Sequence, residues 1–141
     1  MAIVIADDVM TGVKATFDAS LLGVMVPGGI HRRPPGGTDM PYAVASIEEG
    51  EQEDFSGSNY VKDFTVKLAV FTESDGVQDG AAIRRLLAES FDRASLTIPN
   101  ASALLHVRPL AGEWNLDPGK RNANDVVVGV GAWEIKVQGS R

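Results

Sequence analysis

The amino-acid sequence predicts an α+β fold, a mostly antiparallel sheet of four to five strands with two helices packed on one face. Two observations predict it. Apolar residues recur in steps of four in two segments and alternate in steps of two in others, the patterns of amphipathic helices and of strands. The segments follow the order helix, short strand, hairpin, helix, hairpin, with turn-rich links that suit antiparallel pairing. No internal repeat, long linker or low-complexity tract divides the chain, so residues 1–141 read as one soluble domain.

The first helix is predicted from Asp7 or Asp8 to about Val24. Val9, Val13, Phe17 and Leu21 mark one face, with Met10 and Leu22 beside it. Two aspartates in the first turn suit the positive end of the helix dipole, and Gly23 is a candidate terminator. Pro27-Gly28-Gly29 turns the chain into a short segment, Ile30-His31-Arg32-Arg33. Pro34-Pro35-Gly36-Gly37 cannot be helix and is poor strand, so it reads as an exposed loop.

A strand from Tyr42 to about Glu49, extendable to Asp54, is predicted to pair with a stronger one from Tyr60 to Thr72 across the turn Ser56-Gly57-Ser58-Asn59. Phe64, Val66, Leu68 and Val70 share one face of the second strand, and the shared tip is acidic. The second helix is predicted from about Val77 to Ala94, with Ile83, Leu86, Leu87, Phe91 and Ala94 as its stripe. Two strands, about Ala103–Leu116 and Asp125–Gln138, close the domain around the turn-rich loop Asp117–Asn122. In the last strand Val127, Gly129, Gly131, Trp133, Ile135 and Val137 fall on one side, and Val126, Val128, Val130 and Ala132 on the other.

Composition excludes several functions. The absence of cysteine rules out disulfides, zinc–thiolate sites, iron–sulfur clusters and a cysteine nucleophile. The first residues lack the basic start of a signal peptide, and no apolar run approaches the roughly 20 residues of a membrane span. Thirteen basic and nineteen acidic residues give a net charge of −6, which opposes tight nucleic-acid binding but suits a protein that stays near DNA without sticking to it.

No catalytic machinery is evident. His31 and His106 have no metal-ligand spacing and form a pair only if the fold joins them. The glycines at 28–29 and 36–37 lack the following helix and Lys-Ser/Thr of a phosphate loop. No serine sits in a nucleophile elbow. The densest charge cluster, Glu48, Glu49, Glu51, Glu53 and Asp54, has no calcium-loop pattern and reads as a solvated hairpin tip or an acidic surface facing DNA or a basic partner. Trp133 reads as core and Trp114 as a candidate interface anchor. No enzyme activity, cofactor or metal is expected.

The layout of the chain resembles the tail terminator, or tail completion, proteins of long-tailed bacteriophages. The resemblance runs from Asp7 to Val137. An N-terminal helix leads to Gly29-Ile30-His31-Arg32-Arg33, then a Pro-rich loop and Met40-Pro41-Tyr42-Ala43-Val44. The strand Phe64–Thr72 runs into a helix containing Ile83-Arg84-Arg85-Leu86-Leu87, and strands close the domain. The long Asp117–Asn124 loop and the dense acidic tip depart from the family's usual pattern.

The resemblance implies a non-enzymatic virion protein that forms a homohexameric ring. The ring would cap the tail tube, stop its polymerisation and join it to the head connector or stopper proteins. It would sit at the head–tail interface of the virion after assembly in the host cytoplasm. DNA would pass without specific binding, and no membrane is involved. The acidic tip residues Glu48, Glu49, Glu51, Glu53 and Asp54 are expected to face the lumen or tube, where negative charge repels phosphate. Arg32, Arg33, Trp114, Lys120 and Arg121 are candidate residues of interface loops. Another head–tail neck protein is the nearest alternative. A small-ligand-binding or enzymatic domain using the sheet face and His106, or a monomeric regulatory module, are alternatives of other classes.

Overall fold

The computed structural model describes residues 2–72, 80–111 and 126–140. Helix α1 (Ala6–Ala19) is followed by the single-turn α2 (Leu22–Met25), strands β1 (Ile30–His31), β2 (Tyr42–Phe55) and β3 (Asn59–Thr72), helix α3 (Gly80–Phe91), and strands β4 (Ala103–Pro109) and β5 (Val126–Ser140). The strands form one sheet in the order β1-β2-β3-β5-β4. All pairings are antiparallel except β1 with β2, which is parallel and joins Ile30 to Ala43 and His31 to Val44. The fold is α+β with a mixed sheet.

The predicted first helix is broken in two. Ser20 adopts an extended conformation, its hydroxyl donates to the Phe17 carbonyl at 2.8 Å, and its oxygen accepts from the Leu22 amide at 3.2 Å. A short hydroxyl side chain can satisfy the backbone locally and so ends a helix that the apolar spacing alone would continue. Gly23 lies inside α2 rather than terminating the helix. At the start of α1, the Asp8 carboxylate accepts from the Ile5 amide at 3.0 Å, satisfying a donor that precedes the first turn.

Helix α3 stops at Phe91, short of Ala94, because Arg93 takes a left-handed conformation (φ 54°) and its amide donates to the Val107 carbonyl at 3.1 Å. The predicted start of this helix at Val77 and the predicted strand segment from Gly112 to Leu116 lie outside the described residues. The Asp117–Asn124 loop lies outside them as well.

One large core joins the helices to the sheet. Val9, Val13 and Phe17 of α1 and Ile83, Leu87 and Phe91 of α3 share it with Phe64, Val66, Leu68 and Val70 of β3. Burying side chains of this size contributes roughly 1.5–3 kcal/mol each. The opposite face of β3 is also covered at one end. Tyr42, Val44, Ala69 and Phe71 form a second buried cluster with Met40 against it, and the Tyr42 and Phe71 rings stack at 5.4 Å.

Strand β5 departs from simple alternation. Val70 pairs with Gly129 but Phe71 with Val127, so Val128 is an extra residue in the ladder. The irregularity moves Val128 into the core with Trp133, Ile135 and Val137, while Val127 is exposed. The predicted division of this strand into two sides fails at that point.

The N-terminal segment is held by the hairpin. Tyr60 hydroxyl accepts from the Val4 amide at 2.8 Å, and the buried Lys62 ammonium donates to the Val4 carbonyl at 2.9 Å. Lys62 lies 3.5 Å from Glu49 and above the Phe64 ring. Gly139, paired with Tyr60, makes this possible, because a Cβ there would lie 2.3 Å from the Tyr60 ring. We predict that Tyr60→Phe lowers stability by about 1 kcal/mol and Lys62→Met by about 2–3 kcal/mol, the larger loss arising because a buried charge-assisted bond is removed and the Val4 carbonyl is left unsatisfied. Urea unfolding midpoints check this, and wild-type midpoints for both would contradict it.

Candidate functional site

The acidic candidates occupy the distal half of β2, where an irregularity between Glu49 and Gln52 bends the strand. The structure divides them. Glu48 pairs with Lys67 at 3.4 Å. Glu49 pairs with Lys62 and also accepts from the Ala6 amide at 3.1 Å. Asp54 accepts from the Gln52 amide group at 3.3 Å. Glu51 and Glu53 are exposed and have no side-chain partner among the described residues. Part of the acidic run is therefore neutralised within the fold, and part is offered outward.

Register assigns the sides. Lys62 and Tyr60, opposite Gln52 and Asp54, point toward the helices. Glu53 and Phe55, opposite Val61 and Asn59, therefore share the other side of the sheet. Sequence reading placed these residues at a tip but not on sides, because the extra residue at the irregularity reverses the alternation.

Among the predicted interface residues, Arg32 is tied to α1, its guanidinium lying 2.7 Å from Asp7. Arg33 is exposed at the start of the loop. Trp114, Lys120 and Arg121 lie outside the described residues. The loop between Arg33 and Pro41 turns through Pro35–Thr38, where the Thr38 amide donates to the Pro35 carbonyl at 3.2 Å. Its far end docks on Gly28, whose amide donates to the Pro41 carbonyl at 3.0 Å. A Cβ at Gly28 would lie 2.1 Å from the Asp39 carbonyl oxygen, so only glycine admits this contact. The amides of Gly28 and Gly29 are spent on Pro41 and Val26, which accounts for the glycines without a phosphate.

The histidines are not a pair. His31 in β1 and His106 in β4 stand at opposite edges of the sheet, four strand spacings or about 19 Å apart. His31 Nε2 meets the Gly28 carbonyl at 2.6 Å. His106 Nε2 meets Glu134 Oε1 at 2.7 Å, and Arg108 donates to the other oxygen of Glu134 at 3.1 Å. Lys136 and Asp63 lie beside them at 3.5 Å from each other. This network on the outer sheet face was missed in the sequence, since it depends on the β4–β5 register, which is itself irregular between Leu104 and His106. The alternation of His106 with Arg108 and of Glu134 with Lys136 was the available signal.

The arrangement is a network of ion pairs across β3, β4 and β5. The Glu134 carboxyl is held below its usual range, first by the hydrogen bond from His106 and then by the charges of Arg108, His106 and Lys136, against a partial loss of solvent. No group of three or more metal-ligating side chains occurs among the described residues. No helix among them is long and apolar enough to cross a membrane. Trp133 donates to Asp92 at 2.7 Å and packs on Phe91 at 5.3 Å, so it is a core residue that fixes the end of α3.

A second feature lies beside this network. A cavity of about 500 Å³ opens between the segment Arg93–Ser95 and β4 residues Leu104–Arg108.

A lowered carboxyl pKa stabilises the fold above the usual carboxylate range and ceases to do so as pH falls through the depressed value. Wild-type protein should therefore lose more stability than Glu134→Gln between about pH 5 and pH 3, while near neutrality the variant should be less stable by about 0.5–1 kcal/mol. Thermal melts across that range test this, and parallel losses in both proteins would refute it.

A family model described as tail completion protein gp17 matches residues 17–133 of the chain. No curated protein matches it.

Proposed function

The chain belongs to the family of phage tail completion proteins, structural components of the virion tail, and from that premise we propose that it is the tail terminator. In this reading it assembles as a homohexameric ring on the last ring of the tail tube, stops polymerisation, and presents the surface that meets the head connector or stopper proteins. The observation that carries the reading is the family match over residues 17–133. The fold supports it: a five-stranded sheet packed against helices, with an acidic run along the distal half of β2. Several of its outer-face charges pair with one another: Lys67 with Glu48, Arg108 with Glu134, and Lys136 with Asp63.

A ring of identical subunits needs one heterologous interface, repeated until it closes. DNA passes through it without specific binding. The net charge of −6 supports this, since basic residues would hold phosphates. We assign the acidic end of β2 to the lumen or the tube face. Glu48 and Glu49 are partly neutralised by Lys67 and Lys62, whereas Glu51 is exposed with no side-chain partner among the described residues, so the lining charge falls chiefly to Glu51.

Phage particles made without this protein should carry tail tubes of variable, extended length, and adding it back should restore a uniform length with a ring at one end in electron micrographs. Uniform tubes in its absence would overturn the terminator role. Separately, Glu51→Gln combined with Asp54→Asn should leave ring assembly intact and slow DNA ejection several-fold, as the repulsion that keeps phosphates off the wall is weakened. Unchanged ejection would remove the acidic lining from the proposal.

A further inference from the structure

We propose that the cavity between Arg93–Ser95 and β4 is the seat for the β2–β3 hairpin end of a second copy of this chain. The inference rests on the ring reading and names the two surfaces that would close the ring.

The cavity has a defined chemistry. The Arg93 amide bonds the Val107 carbonyl at 3.1 Å, which fixes the linker alongside β4 and sets the width of the opening. Arg93 is exposed and its side chain has no partner among the described residues. Arg108 is exposed and gives one bond to Glu134, leaving other guanidinium donors outward. Leu105, at the irregularity in β4, lines the same cavity and is 46% exposed. Among the described residues the lining contains no carboxylate.

The hairpin end is its complement. Phe55 is 42% exposed, an aromatic side chain at the last position of β2. Glu53 lies on the same side of the strand. An apolar ring beside a carboxylate thus meets, in chemical terms, an exposed leucine in a cavity that two arginines also line. Buried aromatic and arginine anchors carry most of the energy of such contacts, and opposite charges set orientation and encounter rate.

The same chain cannot make this contact with itself. β2 and β4 are separated by β3 and β5, three strand spacings or about 14 Å within one sheet. The two surfaces lie on different parts of one subunit, so their pairing between copies is head-to-tail, the arrangement that generates rings. Strand alternation leaves Asp54 on the opposite side from Glu53 and Phe55, so a seated hairpin still has a carboxylate to face the lumen.

The test uses two full-length variants, Phe55→Ser on the hairpin and Leu105→Ser in the cavity, examined by mass photometry alone and with tail tubes. Phe55 is 42% and Leu105 46% exposed, so melting temperatures should stay close to wild type. Each variant alone should associate with itself at least about tenfold more weakly than wild type and form no rings. An equal mixture should give dimers and nothing larger, because only one hairpin and one cavity remain competent in each pair. Rings formed by either variant alone, or a mixture that stays monomeric where wild type assembles, would overturn the contact while leaving the ring reading intact. Leu105→Ser that still forms rings but no longer binds tubes would assign the cavity to tube protein and overturn the second-copy occupant. Wild-type protein that remains monomeric even on tubes would overturn the ring reading and this contact together.

Discussion

The fixing of Val4 by Tyr60 and Lys62 is the constraint on which the rest of the architecture depends. Strand β3 pairs with β2 on one side and β5 on the other, and the N-terminal segment is tied to its first residues. Here a residue of the N-terminal segment is bonded through both its amide and its carbonyl to side chains of β3. Helix α1 begins two residues later and so starts from a fixed point. Lys62 is a buried cation, and it is tolerated because a carbonyl, a carboxylate and an aromatic face surround it. Glu49 serves both sides of this arrangement, facing Lys62 and accepting from Ala6. The acidic run is thus continuous with the structural frame at one end and exposed at the other.

Three small irregularities decide which surfaces the sheet presents. An inserted residue reverses side-chain alternation, so each one changes which residues lie inside and which outside. In β2 it turns Glu53 and Phe55 to the same side as Glu48. In β5 it buries Val128 and exposes Val127. In β4 it pushes Leu105 outward between Leu104 and His106. The exposed apolar positions in these strands are consequences of the ladder geometry, not failures of packing.

Much of the fold was legible in the sequence. The stripes Val9-Val13-Phe17 and Ile83-Leu87-Phe91 lie in the core, as does the alternation Phe64-Val66-Leu68-Val70. Those patterns are local and repeated, so burial imposes them strongly. What was not legible depended on single residues or on partners distant in sequence. Ser20 ended α1 through hydroxyl bonds that apolar spacing does not reveal. The parallel pairing of β1 rests on two residues only. The Glu134 network needs β4 and β5 in register, and the acidic run looked uniform until pairing separated Glu48 and Glu49 from Glu51 and Glu53. Composition fixes total charge, whereas its distribution over sides of a sheet is a property of register.

The brevity of β1 has a further consequence. It covers β2 only at Ala43 and Val44, so from Ala45 to Phe55 no described strand pairs with the outer margin of β2. A bare strand of that length is a template on which other chains can polymerise into cross-β aggregates. Here that margin carries Glu48, Glu49, Glu51, Glu53 and Asp54. Two such strands brought side by side would set carboxylates against carboxylates, which disfavours the encounter. The acidic run therefore also opposes edge-to-edge pairing of two such strands.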